Sequence, residues 1–292
     1  MKLGVLSIAF GQIGHRELAR KINHYGFDAT HLEMNHITDV DCRPGKLSTG
    51  MANHLAEEFA RYGVNIPVLG CYVNLIDKDT ERRKLNLKQL KEHLRFARDF
   101  GASTVTTETG TANVLSPWEH HPDNQNEENW NELRAVVENL AEEAEKWGVF
   151  LGLEGYTNNV INTPERMERL LQEVPSSNLG IVMDPCNYID ESNKHRQDDV
   201  IRDAIARLGN RILIAHAKDF NYAAKDRADH RNVQPAAGTG ELNYPLYMEL
   251  LMEAKPYMKI YLEHLHESQM LASADYVNKA LESGRRTQEV RT

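Results

Sequence analysis

The chain has 292 residues, 41% of them apolar and 26% charged, with a formal net charge of −9. That much apolar material builds a full core, and the acidic balance argues against a nucleic-acid partner, which needs clustered Lys and Arg. Three scattered cysteines make no disulfide framework, and neither a signal peptide nor a membrane-length apolar run is expected, so the composition reads as a soluble cytoplasmic protein.

In chain order, short apolar segments at 3–10, 29–35, 65–74, 103–110, 150–156, 179–184, 212–219 and 259–265 read as strands. Each is brief and rich in Val, Ile, Leu or Thr. Helical patterns follow at 15–26, 50–63, 80–101, 128–148, 163–174, 197–208, 244–255 and 270–284. The first four stop at Gly26, Gly63, Gly101 and Gly148, because glycine accepts the left-handed conformation that closes a helix. Thr163 followed by Pro164 is a cap and first-turn pair. Eight such units without a Pro/Ser-rich linker predict one α/β domain over 1–292, a (β/α)8 TIM barrel, with a frayed tail from about 285. The first strand–helix turn, "AFGQIG", lacks the GxGxxG pattern of a dinucleotide fold.

Catalytic groups in such barrels sit at the C-terminal strand ends. Read in order, those ends carry Glu33 and Asn35, Asn74, Glu108, Glu154, Asp184, His216 with Lys218 and Asp219, then Glu263 with His264. A lone carboxylate there is more often a helix cap or a solvated side chain, and a lone His is more often packed in the core. The set carries the weight. Glu154, Asp184, His216 and Glu263 come from strands five to eight, which are neighbours in a closed barrel. Three carboxylates converging with one imidazole repel one another unless a cation sits among them. Without a thiolate, the donors suit one divalent ion, Mn²⁺ first, with Mg²⁺, Co²⁺ or Zn²⁺ compatible.

The same strand ends, Glu in "GLEGY", Asp in "VMDPCN", His in "IAHAKDF" and Glu in "YLEH", resemble the sugar phosphate isomerase/epimerase superfamily. This is the xylose isomerase-like barrel group that includes ketose 3-epimerases, hydroxypyruvate isomerases and inosose dehydratases. The later "GTGELNYP" (238–245) is similar to that group's G-x-G-x-(hydrophobic)-(Asp/Asn)-(Tyr/Phe) pattern. The resemblance covers essentially the whole chain. It implies that Glu154, Asp184, His216 and Glu263 hold one divalent metal. It also implies that Glu154 and Glu263 move a proton at the carbon beside a carbonyl, through a metal-stabilised cis-enediolate.

Two departures bear on substrate. Ketose 3-epimerases place a His three residues after the aspartate, where this chain has Asn187, and Tyr222 stands near where their arginine is expected. Lys218 is the cation offered instead, expected to face the substrate, with a rim pairing to Asp219 as its plain alternative. Glu108 and Glu33 are candidates for substrate hydroxyls. Trp118, in the long loop 111–126, reads as an aromatic lid, while His120 and His121 beside it read as solvated. His230 and Arg231, in the second long loop 220–240, are candidates for an anionic substrate. Strand alternation is expected to turn His264 away from Glu263 and onto the helices.

The resulting expectation is a divalent-metal-dependent isomerase or epimerase of a small sugar or keto-sugar, phosphorylated or not. A dehydratase of a keto-polyol such as an inosose is the alternative on the same scaffold. A non-catalytic sugar-binding barrel and an endonuclease IV-like repair enzyme rank below it, the latter because it needs many more histidines. The expected partner is a small-molecule sugar, with no nucleic acid and no membrane, and pairing into a homodimer or homotetramer fits the group.

Overall fold

Parallel strands cannot be joined by tight hairpins, so each needs a crossover that returns the chain to the same end of the sheet. The computed structural model describes residues 1–223 and 233–291, with side chains through residue 285, and shows such crossovers around a closed barrel. The strands are β1 (Lys2–Leu6), β2 (Ala29–Glu33), β3 (Asn65–Gly70), β4 (Thr104–Glu108), β5 (Phe150–Glu154), β6 (Leu179–Met183), β7 (Ile212–Ala217) and β8 (Lys259–Leu262). Each pairs in parallel with the next, and β8 closes onto β1 from Lys259 opposite Lys2 to Leu262 opposite Val5. The outer ring is α1 (His15–His24), α2 (Thr49–Arg61), α3 (Thr80–Phe96), α4 (Glu127–Trp147), α5 (Pro164–Glu173), α6 (Gln197–Leu208), α7 (Tyr244–Ala254) and α8 (Met270–Arg291). The fold is the (β/α)8 TIM barrel that the alternation of elements predicts. No helix among the described residues is long and apolar enough to cross a membrane.

Local signals act as their chemistry requires. Thr163 Oγ1 accepts the Arg166 amide at 3.2 Å with Pro164 in the first turn, and Gly148 closes α4 at φ 63°. The strands are shorter than their apolar runs. After Leu6 the chain enters a 3₁₀ turn, Ser7–Phe10, whose Ser7 hydroxyl accepts the Glu33 amide at 2.9 Å. Asn74, expected at a strand end, lies four residues beyond β3. Its amide bonds to Ile76 and Thr111 build a loop. The last helix, α8, runs through Arg291. Gly284 is a contact residue and not a stop, since a Cβ there would meet the Met252 methyl at 2.5 Å and the Glu249 backbone of α7 at 3.2 Å.

Two apolar regions hold the barrel. The larger fills the space between sheet and helices, while Leu6, Ala29, Val68, Val182, Ile214 and Tyr261 form a separate inner cluster. Tyr261 needs the absence of a side chain opposite it. Gly4 is its register partner on β1, and a Cβ there would lie 2.7 Å from the Tyr261 ring and 2.9 Å from the Ala29 carbonyl. Gly4→Ala is therefore expected to destabilise the fold by about 1–3 kcal/mol, the usual cost of overpacking. A chemical-denaturation midpoint equal to wild type would show that the ring has room to move.

Candidate metal centre

Barrel geometry gathers the four polar ends that the strands carry. Glu154 is the last residue of β5, Asp184 follows β6, His216 lies in β7 and Glu263 follows β8. One ligand atom from each lies within 4.8 Å of the other three, and all four residues are buried. Donors about 2.0–2.4 Å from one ion stand up to about 4–5 Å apart, so this spread suits a single cation.

Each member is held by its neighbours. Glu154 accepts from the Tyr72 hydroxyl at 2.8 Å and from the Asn187 amide at 2.7 Å. Asp184 Oδ1 caps the following turn by accepting the Cys186 amide at 3.0 Å. His216 Nδ1 stands 3.3 Å from Glu154 Oε1 and 3.1 Å from Glu263 Oε2. The Tyr247 hydroxyl, from α7, reaches the Met183 and His216 carbonyls at 3.0 and 3.1 Å and ties the ends of β6 and β7 together.

The donor set fits a divalent ion on two observations. Asp184 Oδ2 and Glu263 Oε2 are buried and accept no hydrogen bond. Lys218 Nζ comes within 3.1 and 3.3 Å of them, an ion-pair contact without hydrogen-bond alignment. Charge gives the second observation. Three carboxylates face one ammonium, so the site with a neutral imidazole is two charges short of balance. A divalent ion supplies them.

The electrostatics follow from burial and crowding. Burial opposes charge on Lys218, yet Asp184, Glu263 and Glu154 outweigh it and hold the ammonium well above the ordinary lysine value. Burial also opposes charge on His216, and Glu154 and Glu263 again reverse the outcome, raising it well above the usual histidine value. Burial raises Asp184, against the pull of Lys218. Glu263 is the reverse: Lys218 and His216 overcome its burial and hold it well below the carboxylate range. Burial and the Glu263 charge push Glu33 up to about 7, and burial with Glu154 drives Glu108 well above its ordinary value.

A cavity of about 690 Å³ opens over the cluster, and Glu33, Glu108, Trp118, Asn187, Lys218 and Glu263 are in its wall. The sequence-derived candidates thus meet at one place, with His230 and Arg231 lying outside the described residues. Asn187 is engaged with Glu154, Glu108 accepts from Asn159 at 3.1 Å, and Trp118 is half exposed with its carbonyl held by Asn158 at 2.9 Å. His120 is exposed, and His121 is partly exposed with Nδ1 accepting the Asp123 amide at 3.2 Å.

One alternative and one expectation do not hold. Lys218 lies in the cavity wall against Asp184 and Glu263 and does not make the alternative pair with Asp219. Asp219 instead accepts four backbone amides, from Phe220, Gly238, Gly240 and Leu242, at 2.8–3.1 Å. That bonding explains the "GTGELNYP" stretch: a Cβ at Gly240 would sit 2.3 Å from the Phe220 carbonyl. Tyr244 from the same stretch donates to the Lys218 carbonyl at 2.8 Å. His264 does not pack on the helices. It adopts φ 53°, which breaks the alternation, and its ring enters the cavity wall with Nε2 3.5 Å from Glu263 Oε1.

Sequence reasoning also passed over His31 and Tyr72. His31 is fully buried in β2, bonded to His216, and only its parity with Glu33, two residues on, marks it as inward-facing.

A family model described as the xylose isomerase-like TIM barrel matches residues 17–286. An uncharacterized protein of Methanocaldococcus jannaschii is 25% identical over 260 residues, which are 87% of this chain and 80% of that one. The structure of a D-tagatose 3-epimerase-like protein matches with a TM-score of 0.74 at 22% identity, over 98% of this chain and 99% of that one. The IolI protein with a bound zinc atom matches at 0.70 and 17% identity, over 98% and 99%.

Proposed function

The chain belongs to the xylose isomerase-like TIM barrel family, and from that premise we propose that it is a divalent-metal-dependent isomerase or epimerase of a small sugar or keto-sugar. The observation that carries this reading is the buried Glu154–Asp184–His216–Glu263 cluster, with two carboxylate oxygens lacking hydrogen bonds, beneath a polar cavity. Those four residues hold the ion, and Mn²⁺ is the ion proposed, since oxygen donors predominate. The bound ion supplies positive charge beside an oxygen that gains negative charge as the neighbouring carbon is deprotonated.

The protein's own groups do the rest. Lys218 keeps Glu263 ionised despite its burial, so it meets the substrate ready to accept a proton. Tyr72 and Asn187 fix both oxygens of Glu154, orienting the second carboxylate for proton return. Glu33 and Glu108, in the cavity wall, present carboxyl groups to substrate hydroxyls. Among the described wall residues carboxylates outnumber cations, and Lys218 is already engaged by Asp184 and Glu263. This balance favours an unphosphorylated sugar.

The test is a panel of keto-sugars, sugar phosphates and inososes incubated with the Mn²⁺-loaded protein in D₂O. Deuterium is expected at a carbon next to a carbonyl. A new enone absorbance without exchange would instead identify a dehydratase, and no turnover of any member would count against the enzyme reading.

Metal uptake is expected to depend on pH. His216 is held protonated by Glu154 and Glu263, and an ion taking its Nδ1 lone pair must displace that proton. Mn²⁺ affinity therefore falls as pH falls, by up to about tenfold per unit for one displaced proton. Titrations between about pH 6 and about pH 8 check this, and a flat profile would show that no proton leaves.

A further inference from the structure

A second imidazole lies against the proposed ligand His216. His31 is fully buried, with Nδ1 3.2 Å from His216 Nε2 and Nε2 2.8 Å from Thr106 Oγ1. A Cβ at Gly70 would lie 3.0 Å from His31 Nε2, so the bare backbone of β3 makes room for the ring.

The direction of this hydrogen-bond chain follows from its near end. The His216 nitrogen that faces Glu154 and Glu263, and so an ion among them, is Nδ1. With Nδ1 given to an ion, the ring carries its hydrogen on Nε2 and donates it to His31 Nδ1 at 3.2 Å. Accepting at Nδ1, the neutral His31 ring carries its own hydrogen on Nε2 and donates it to Thr106 Oγ1 at 2.8 Å. Thr106 has the Leu69 carbonyl at 3.4 Å to take its one hydroxyl proton. The reverse chain would put a hydrogen on His216 Nδ1 and close the site to an ion.

We propose that His31 is a positioning residue. Oriented by Thr106, it accepts the His216 Nε2–H and fixes the tautomer that turns the Nδ1 lone pair toward a divalent cation. This rests on the metal reading above. Partners of this kind around metal-bound histidines set ring orientation and tautomer, and losing one typically weakens binding about 10–100-fold.

Two measurements test it, neither depending on turnover. Histidine ¹⁵N NMR of the metal-free protein is expected to show His31 as the Nε2–H tautomer. With Zn²⁺ bound, His216 is expected to keep Nε2–H and to show a metal-shifted Nδ1. Calorimetric Mn²⁺ titration is expected to show a loss of about 10–100-fold in His31→Phe, which keeps ring volume without an acceptor. His31→Gln, whose amide oxygen accepts the same hydrogen, recovers part of the loss, and Thr106→Val, which removes the orienting acceptor, falls between. An Nδ1–H tautomer at His31, or wild-type Mn²⁺ affinity in His31→Phe, overturns the inference and leaves the metal reading standing. A wild type that binds neither Mn²⁺ nor Zn²⁺ overturns both. Should His31→Phe not fold, the wild-type tautomer and Thr106→Val decide by the same criteria.

Discussion

Glu263→Gln is expected to lower turnover by about 10²–10⁴-fold at saturating Mn²⁺, the range contributed by a positioned acid–base group. Gln keeps the shape and removes the proton acceptor. The fold is expected to survive, because Lys218 retains Asp184 at 3.1 Å and the substitution relieves crowding among three carboxylates. The readout is deuterium exchange on whichever panel sugar the wild type turns over, with Mn²⁺ binding measured on the same variant. Undiminished exchange would remove Glu263 from proton transfer. Loss of exchange that more Mn²⁺ restores would confine it to holding the ion.

The second large effect concerns Asp219, which touches none of the four ligands. Its carboxylate gathers four backbone amides from residues 220 to 242 and so folds the segment before α7 against β7. Burial holds its carboxyl above the ordinary aspartate value despite those amides, which pull the other way. Asp219→Ala leaves the four donors without their acceptor. At about 1–3 kcal/mol for each buried donor left unpaired, and with water recovering some, a loss of about 3 kcal/mol or more is expected. That corresponds to a Tm lower by about 6–12 °C in a chain of this size. Asp219→Asn keeps one acceptor oxygen and should fall between. Calorimetry decides, and a Tm within about a degree of wild type would show that the segment holds itself.

Most of the fold was legible because a (β/α)8 barrel repeats one instruction, an apolar run and then an amphipathic helix, and the first four helices are followed by a left-handed glycine. The gathering of Glu154, Asp184, His216 and Glu263 was legible for the same reason, since barrel closure carries the ends of β5 to β8 to one point. What escaped notice lay off that pattern. His31 sits in mid-strand, and reading only strand ends passes over it, although its parity with Glu33 gives the direction of its side chain. His264 was misjudged because alternation holds only while the backbone stays extended, and its φ of 53° ends that regime. The Lys218–Asp219 pairing, the alternative for Lys218, does not form because backbone amides take the Asp219 carboxylate while Lys218 turns to Asp184 and Glu263. Asp219's partners are backbone amides, which have no signature in side-chain identity beyond the two glycines that let them approach.

The most direct test of the metal centre is a calorimetric titration of Mn²⁺ into the metal-free protein and into Asp184→Ala. Asp184 Oδ2 is, with Glu263 Oε2, one of the two buried carboxylate oxygens in the cluster that the fold leaves without a hydrogen bond. The expected result is one ion per chain in the wild type and binding weakened by about 100-fold or more in the variant, since a lost ligand costs at least as much as a lost supporting partner. An undiminished affinity in Asp184→Ala, or no uptake by the wild type, would contradict the four-residue metal site.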